Sequence, residues 1–218
     1  MKWAIAALVG LGAASLTTFA RAEAPRDPRV ELDGLFTYGI GNGHALGGRV
    51  NVTGLFPAWR TDRANGSLDL GAYGGYENEP IELQPWMDDS ATTGTTHRIP
   101  FGATFGFGFH FHDGRAVAAG KATHEREVAT LATYVYLGGV HWISQYEVRY
   151  PSRGIEGYGE AIDTVLDAGA LVRLGVPIYE NLALSFQLGA PFFGIGPSTV
   201  IGLFTTGVGL SVTLPRAE

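Results

Sequence analysis

The chain has no cysteine. That excludes a disulfide framework and a leader of the kind that acylates a cysteine. Lysine is almost missing: beyond residue 22 the only one is Lys121. Soluble β-proteins protect their outer faces and edges with charge, lysine above all, and this chain does not. No basic patch stands out, which argues against nucleic acid as a partner. The N-terminal apolar run, residues 4–16, falls short of the ~20 residues a spanning helix needs. No linker or low-complexity tract divides the chain, and no segment carries a persuasive helical period, so one domain is expected.

The N-terminus reads "MKWAIAALVGLGAASLTTFARAEA". Lys2 supplies a positive start, an uncharged apolar stretch follows, and Ala20-Arg21-Ala22 is a small-residue cleavage pattern. This is the signature of a secretory signal peptide, residues 1–22, with cleavage expected before Glu23. The mature domain would then be residues 23–218. Without Lys2 and Arg21 it carries 13 basic against 21 acidic residues, a net charge of −8.

What the chain does have is glycine and alternation. Its 32 glycines lie well above the usual share of about 7%. A two-residue period recurs from 30 to 214. In "VELDGLFTYGI" (30–40), Val30, Leu32, Phe36, Tyr38 and Ile40 oppose Glu31, Asp33 and Thr37. The sharpest case is "FGATFGFGFHFHDG" (101–114), where Phe105, Phe107, Phe109 and Phe111 oppose Gly102, Thr104, Gly106, Gly108, His110 and His112. Comparable runs cover 45–56, 67–76, 126–137, 140–150, 159–174, 181–190 and 199–214, nine strands in all. The Ala-rich stretch 115–128 reads as a weak strand, a loop or a short helix; as a strand it would make a tenth.

The less apolar face decides between a soluble sandwich and a membrane barrel. It is largely Gly, Ser, Thr, Ala and Gln, with scattered charges of both signs. That suits a crowded interior, leaving the apolar face to lipid. Lipid offers no water to backbone groups, so a spanning sheet must close on itself. The expected fold is all-β: a closed antiparallel transmembrane up-and-down β-barrel of 8 or 10 strands, ten preferred. Tyr38, Trp59, Tyr76, Tyr134, Tyr136, Trp142, Tyr150 and Phe192 are candidates for interfacial aromatic belts.

The signal ending "ARA", the strands "FGATFGFGFHFH", "ENLALSFQLG" and "TTGVGLSVTLP", and the missing cysteine together resemble the small bacterial outer-membrane β-barrel proteins. The resemblance covers nearly all of 30–214 and is one of pattern. It implies an even strand number, periplasmic termini, residence in a Gram-negative outer membrane after export, and assembly by the barrel-assembly machinery. Such proteins commonly end on an aromatic residue read during assembly; this chain ends "LPRAE", with Leu214 the last strand residue expected, and departs from that pattern.

Candidate chemistry is sparse. His110 and His112 share one strand face and are candidate metal ligands, with His141, His124 or Asp113 to complete a site. The alternative is two hydrogen-bonded lumen residues, which is preferred, so no metal is expected. Arg49, Asp69, His110, His112, His141, Glu147, Arg149, Asp163, Asp167 and Arg173 are expected to form a polar lumen network, because charges inside a narrow barrel must find partners. Residues 77–98, with Glu77, Glu79, Glu82, Trp86, Asp88 and Asp89, read as an acidic extracellular loop. No catalytic residue and no cofactor is expected. The expected function is that of an integral outer-membrane β-barrel with a narrow or filled lumen. It would be a monomer with a structural, adhesive or small-solute passage role and outer-membrane lipid as its surroundings. Two alternatives stand beside it: an outer-membrane enzyme acting on lipid or peptide, with His110, His112 and Asp163 to test first, and a soluble periplasmic β-barrel binding protein.

Overall fold

The computed structural model describes residues 28–40, 44–61, 64–83, 91–113, 126–179, 181–195 and 204–214. The expected signal peptide, 1–22, and the stretch 115–125 lie outside them. The strands are β1 (Arg29–Ile40), β2 (His44–Arg60), β3 (Ala64–Leu83), β4 (Ala91–Asp113), β5 (Arg126–Tyr150), β6 (Ile155–Tyr179), β7 (Leu182–Ile195) and β8 (Phe204–Leu214). Each pairs antiparallel with its sequence neighbour, and β8 pairs back onto β1 from Val30↔Leu214 to Ile40↔Phe204. The sheet is therefore a closed up-and-down barrel, and among the described residues it has eight strands. The ten-strand count fails for a local reason. Gly138 and Gly139 look like a break between 126–137 and 140–150, yet they pair with Gly102 and Phe101 inside one continuous β5.

The alternation translates directly into faces. Odd positions of β1 (Glu31, Asp33, Leu35, Thr37) are buried inside, while Phe36 and Ile40 are exposed outside. On β4, Phe105 and Phe111 are exposed on the outer face, with Phe107 and Phe109 half-buried beside Phe105 and Trp59. The glycine face of β4 exists because larger side chains from other strands fill the space in front of it. A Cβ on Gly106 would sit 2.0 Å from the Thr133 carbonyl oxygen and 2.7 Å from the Tyr134 ring. One on Gly102 would meet the Tyr73 hydroxyl at 2.8 Å, and one on Gly108 the Asp69 carboxylate at the same distance.

The strands are unequal. β1, β7 and β8 have 12, 14 and 11 residues, whereas β4, β5 and β6 have 23, 25 and 25. The excess lies at the end away from the termini, where β3 to β6 continue as a ribbon beyond the ring. The expected acidic loop 77–98 is thus corrected: residues 77–83 and 91–98 belong to β3 and β4, and Glu77, Glu79 and Glu82 are strand residues. Trp86, Asp88 and Asp89 lie outside the described residues. At the ribbon tip, β5 and β6 are joined by a 3-10 turn, Pro151–Arg153, and by Gly154 at φ 61°, a left-handed conformation that favours glycine.

Candidate functional site: a filled lumen beneath a projecting ribbon

The lumen carries charged side chains buried among partners on opposite walls. Near the terminal end, β6 presents Arg173, only 1% exposed. Its Nη1 donates to Glu31 Oε2 at 2.7 Å, and its Nη2 bonds Glu31 Oε1 as well. Arg173 also donates to Ser185 Oγ at 3.3 Å and Ser211 Oγ at 3.2 Å, and Asp33 Oδ1 lies 3.5 Å from Nη2. Four strands, β1, β6, β7 and β8, thus meet at one guanidinium. A fork with five donors suits this position better than an ammonium, because it can satisfy a carboxylate and two hydroxyls at once.

A second group lies across β3, β4 and β5. Asp69 accepts from Ser67 Oγ at 2.5 Å and from the Tyr134 hydroxyl at 3.0 Å. Ser67 Oγ also bonds His110 Nε2 at 3.1 Å, and His110 Nδ1 lies 3.4 Å from Glu127 Oε2, itself held by Thr130 at 2.5 Å. Both His110 nitrogens are therefore engaged by side chains. Toward the ribbon, Arg49 pairs with Glu77 at 3.6 Å and stacks over the Tyr73 ring at 5.0 Å. Arg98 donates to Glu79 at 3.3 Å. Asp167 hydrogen-bonds Tyr136.

The structure distributes the expected lumen residues unevenly. Arg49, Asp69, His110, Asp167 and Arg173 enter the network just described. His112 follows His110 on the inward row, past an irregularity between Phe111 and His112. Asp163 sits above the ring and accepts from the Thr164 backbone N–H at 2.7 Å. His141, Glu147 and Arg149 are corrected: they face outward. The inward residues of β5 are even-numbered, fixed by Thr130↔His110 and Gly138↔Gly102 and by the buried Ala132 and Tyr134, so 141, 147 and 149 fall on the other side. The same parity corrects the aromatic belt. Tyr134, 5% exposed, and Tyr136 and Trp142 point inward, whereas Tyr38, Trp59 and Tyr76 are outside. The Phe192 side chain and Asp113, like His124, lie outside what is described. Among the described residues no group of three His, Asp or Glu could hold a metal. Glu31, Asp33 and Glu127 lie outside the expected lumen network and Tyr134 is expected in the belt, although the odd-position parity of "VELDGLF" already puts Glu31 and Asp33 on the inner face.

The outer face of the ring is apolar. On β4 the outward residues from Phe111 to Ile99 are all Phe, Ala or Ile. Twelve steps at about 3.3 Å, tilted by about 45°, cover roughly 28 Å of the barrel axis, which matches a hydrocarbon core. Outward residues of β5, β6 and β8, including Leu137, Val135, Val172, Leu174, Val208 and Leu210, are likewise exposed. A closed ring, an apolar exterior of that height and a charged interior define a transmembrane β-barrel.

The ribbon differs. Above Leu46↔Asn78, β3 has no described partner on the β2 side, and above Leu166↔Ile195, β6 has none on the β7 side. Its outward row carries Gln145, Glu147, Arg149, Glu156, Tyr158 and Glu160. Arg149 Nε donates to Glu147 at 2.7 Å and lies 3.9 Å from Glu156; Gln145 Nε2 donates to Glu160 at 3.3 Å. The bond to Glu147, with the charges of Glu147 and Glu156, raises the Arg149 pKa above its ordinary value. Tyr158 is 82% exposed. It borders an open depression of about 600 Å³ with Thr93, Gln145, Tyr146, Glu147 and Glu160.

No family model matches the chain, and no curated protein does. Among solved structures, the chain is similar to the attachment invasion locus protein Ail of Yersinia pestis, with 11% identity over 86% of this chain and 97% of that one, and a TM-score of 0.39. The N-terminal β-barrel domain of Pseudomonas aeruginosa OprF gives 15% identity, coverage of 89% and 100%, and a TM-score of 0.32. Neisserial surface protein A gives 13%, 86% and 96%, and 0.29.

Proposed function

We propose that this chain is an integral outer-membrane β-barrel whose lumen is filled by side chains and whose projecting ribbon serves attachment at the cell surface. The observation that carries the reading is the division of labour along one barrel. The ring has an apolar exterior of membrane height and charged residues locked together inside. The ribbon has polar side chains, and its edges are partly without a partner among the described residues. Periplasmic termini would put the ribbon on the outside of the cell. The Arg173 guanidinium of β6, bonded to residues of β1, β7 and β8, favours a plug over a passage for bulk solute.

Two experiments test this. Membrane-extracted protein should migrate differently on an SDS gel before and after boiling, and in planar bilayers it should show no porin-scale conductance. Equal migration, with solubility in the absence of detergent, would remove the membrane reading; steady open conductance would remove the plug. For attachment, a non-adherent Gram-negative host displaying the protein should gain adherence to an epithelial monolayer. That gain should be lost on Tyr158→Ala/Glu160→Ala, and no gain from the intact protein would refute the role.

A further inference from the structure

Three histidines face outward where the apolar belt ends. His44 begins β2, just above Leu46. His97 is the first outward residue of β4 above Ile99, and His141 the first of β5 above Gly139. Each ring is held through Nδ1. The Tyr38 hydroxyl meets His44 Nδ1 at 2.6 Å, with the rings stacked at 5.8 Å. The Tyr76 hydroxyl meets His97 Nδ1 at 2.5 Å, with rings at 5.9 Å. Thr164 Oγ1 meets His141 Nδ1 at 2.9 Å. A hydroxyl donating to Nδ1 leaves the neutral ring's proton on Nε2, and a protonated ring donates from both nitrogens. In both of these states Nε2 carries an N–H that is free to donate.

Among the described outward side chains, none at this level is acidic. By register, His44 is flanked by Ile40 and Tyr38 on β1, with Phe204 and Thr206 of β8 beyond them. His97 is flanked by Asn78 and Tyr76 of β3 and by Ile143 of β5, with His141 on the diagonal. His141 is flanked by Ile99 of β4 and Thr164 of β6. The outward carboxylates of β5 and β6 begin higher, at Glu147 and at Glu160, which is bonded to Gln145. Arg149 is higher still and pairs with Glu147 and Glu156. Of the described outward residues at this height, the imidazoles are the cationic groups available.

We infer that His44, His97 and His141 form a rim of phosphate-binding positions at the outer membrane interface. The inference rests on the membrane reading above. In that setting the groups that meet this rim are lipid headgroups, and a phosphate is an acceptor matched to an Nε2–H donor.

The test uses the full-length barrel in phosphatidylcholine vesicles with spin-labelled phosphatidic acid, whose phosphate is not masked by a choline, against spin-labelled phosphatidylcholine. The wild type should enrich phosphatidic acid over phosphatidylcholine in its immediate lipid shell by a few-fold, a gain of up to about 1 kcal/mol. The preference should approach unity in His44→Gln/His97→Gln/His141→Gln. A second measurement stands without that variant: the Nε2 resonances of the rim histidines in neutral detergent should shift on adding phosphatidic acid. A matching shift with inorganic phosphate would show that phosphate alone suffices; a shift with the lipid only would assign the site to headgroups. Vesicle flotation with equal association of the two lipids, and no resonance shift from either probe, would overturn the rim and leave the barrel standing. Failure to float would overturn both.

Discussion

Replacing Arg173 by methionine should be the most damaging single change in the lumen. The side chain is buried, holds Glu31 through two N–H groups and has Asp33 at 3.5 Å. Methionine retains much of the stem volume but leaves Glu31 and Asp33 facing each other without a cation. Removing one partner of a buried pair costs about 3–5 kcal/mol. At a urea dependence of about 2 kcal/mol/M, the midpoint should fall by roughly 2 M. The assay is urea unfolding of barrel refolded into vesicles, followed by tryptophan fluorescence, with gel mobility as the check on the ring. Arg173→Met/Glu31→Leu should recover part of the loss, because one orphaned carboxylate is then gone, and the double-mutant cycle isolates the coupling. A loss below about 1 kcal/mol for Arg173→Met, or no recovery in the double variant, would refute the view that this pair ties the walls together.

Other expectations follow from faces and close approaches. Gly106→Val should prevent closure, since even a Cβ meets the Thr133 carbonyl at 2.0 Å; the boiled and unboiled gel bands should then coincide. Leu137, 58% exposed on the outer face, should cost about 2–4 kcal/mol as Leu137→Arg in vesicle unfolding if it lies near the bilayer midplane. Gly154→Ala should cost on the order of 1 kcal/mol through its left-handed backbone, with the barrel still formed; an unchanged midpoint would refute the constraint.

The barrel was legible because its physics is written in a two-residue period. Lipid on one side and a cramped interior on the other leave a strong contrast at nearly every position, as between Phe105 and Gly106. Strand count was harder, since a glycine pair such as Gly138-Gly139 reads as a turn when it in fact pairs with Gly102 and Phe101 in mid-strand. Face assignment failed on β5 above Val140. There the chain leaves the bilayer, the contrast reverses, and apolar Val148 falls on the inner side while Glu147 and Arg149 lie outside. The Arg173 cluster was only half visible. Its acidic partner is 142 residues away in sequence, and only ring closure brings the two together.

That closure has a consequence for how the protein comes into being. The last strand completes the first, and Glu31 bonds Ser211 across the seam as well as Arg173 across the lumen. Neither bond can form until nearly the whole chain exists, and closing so large a loop is slow. Until then the chain is an open sheet at most, with its first acids still solvated. The ion pair then acts as a latch that engages once, at the final step, and turns an insertable chain into one that no longer lets go of itself.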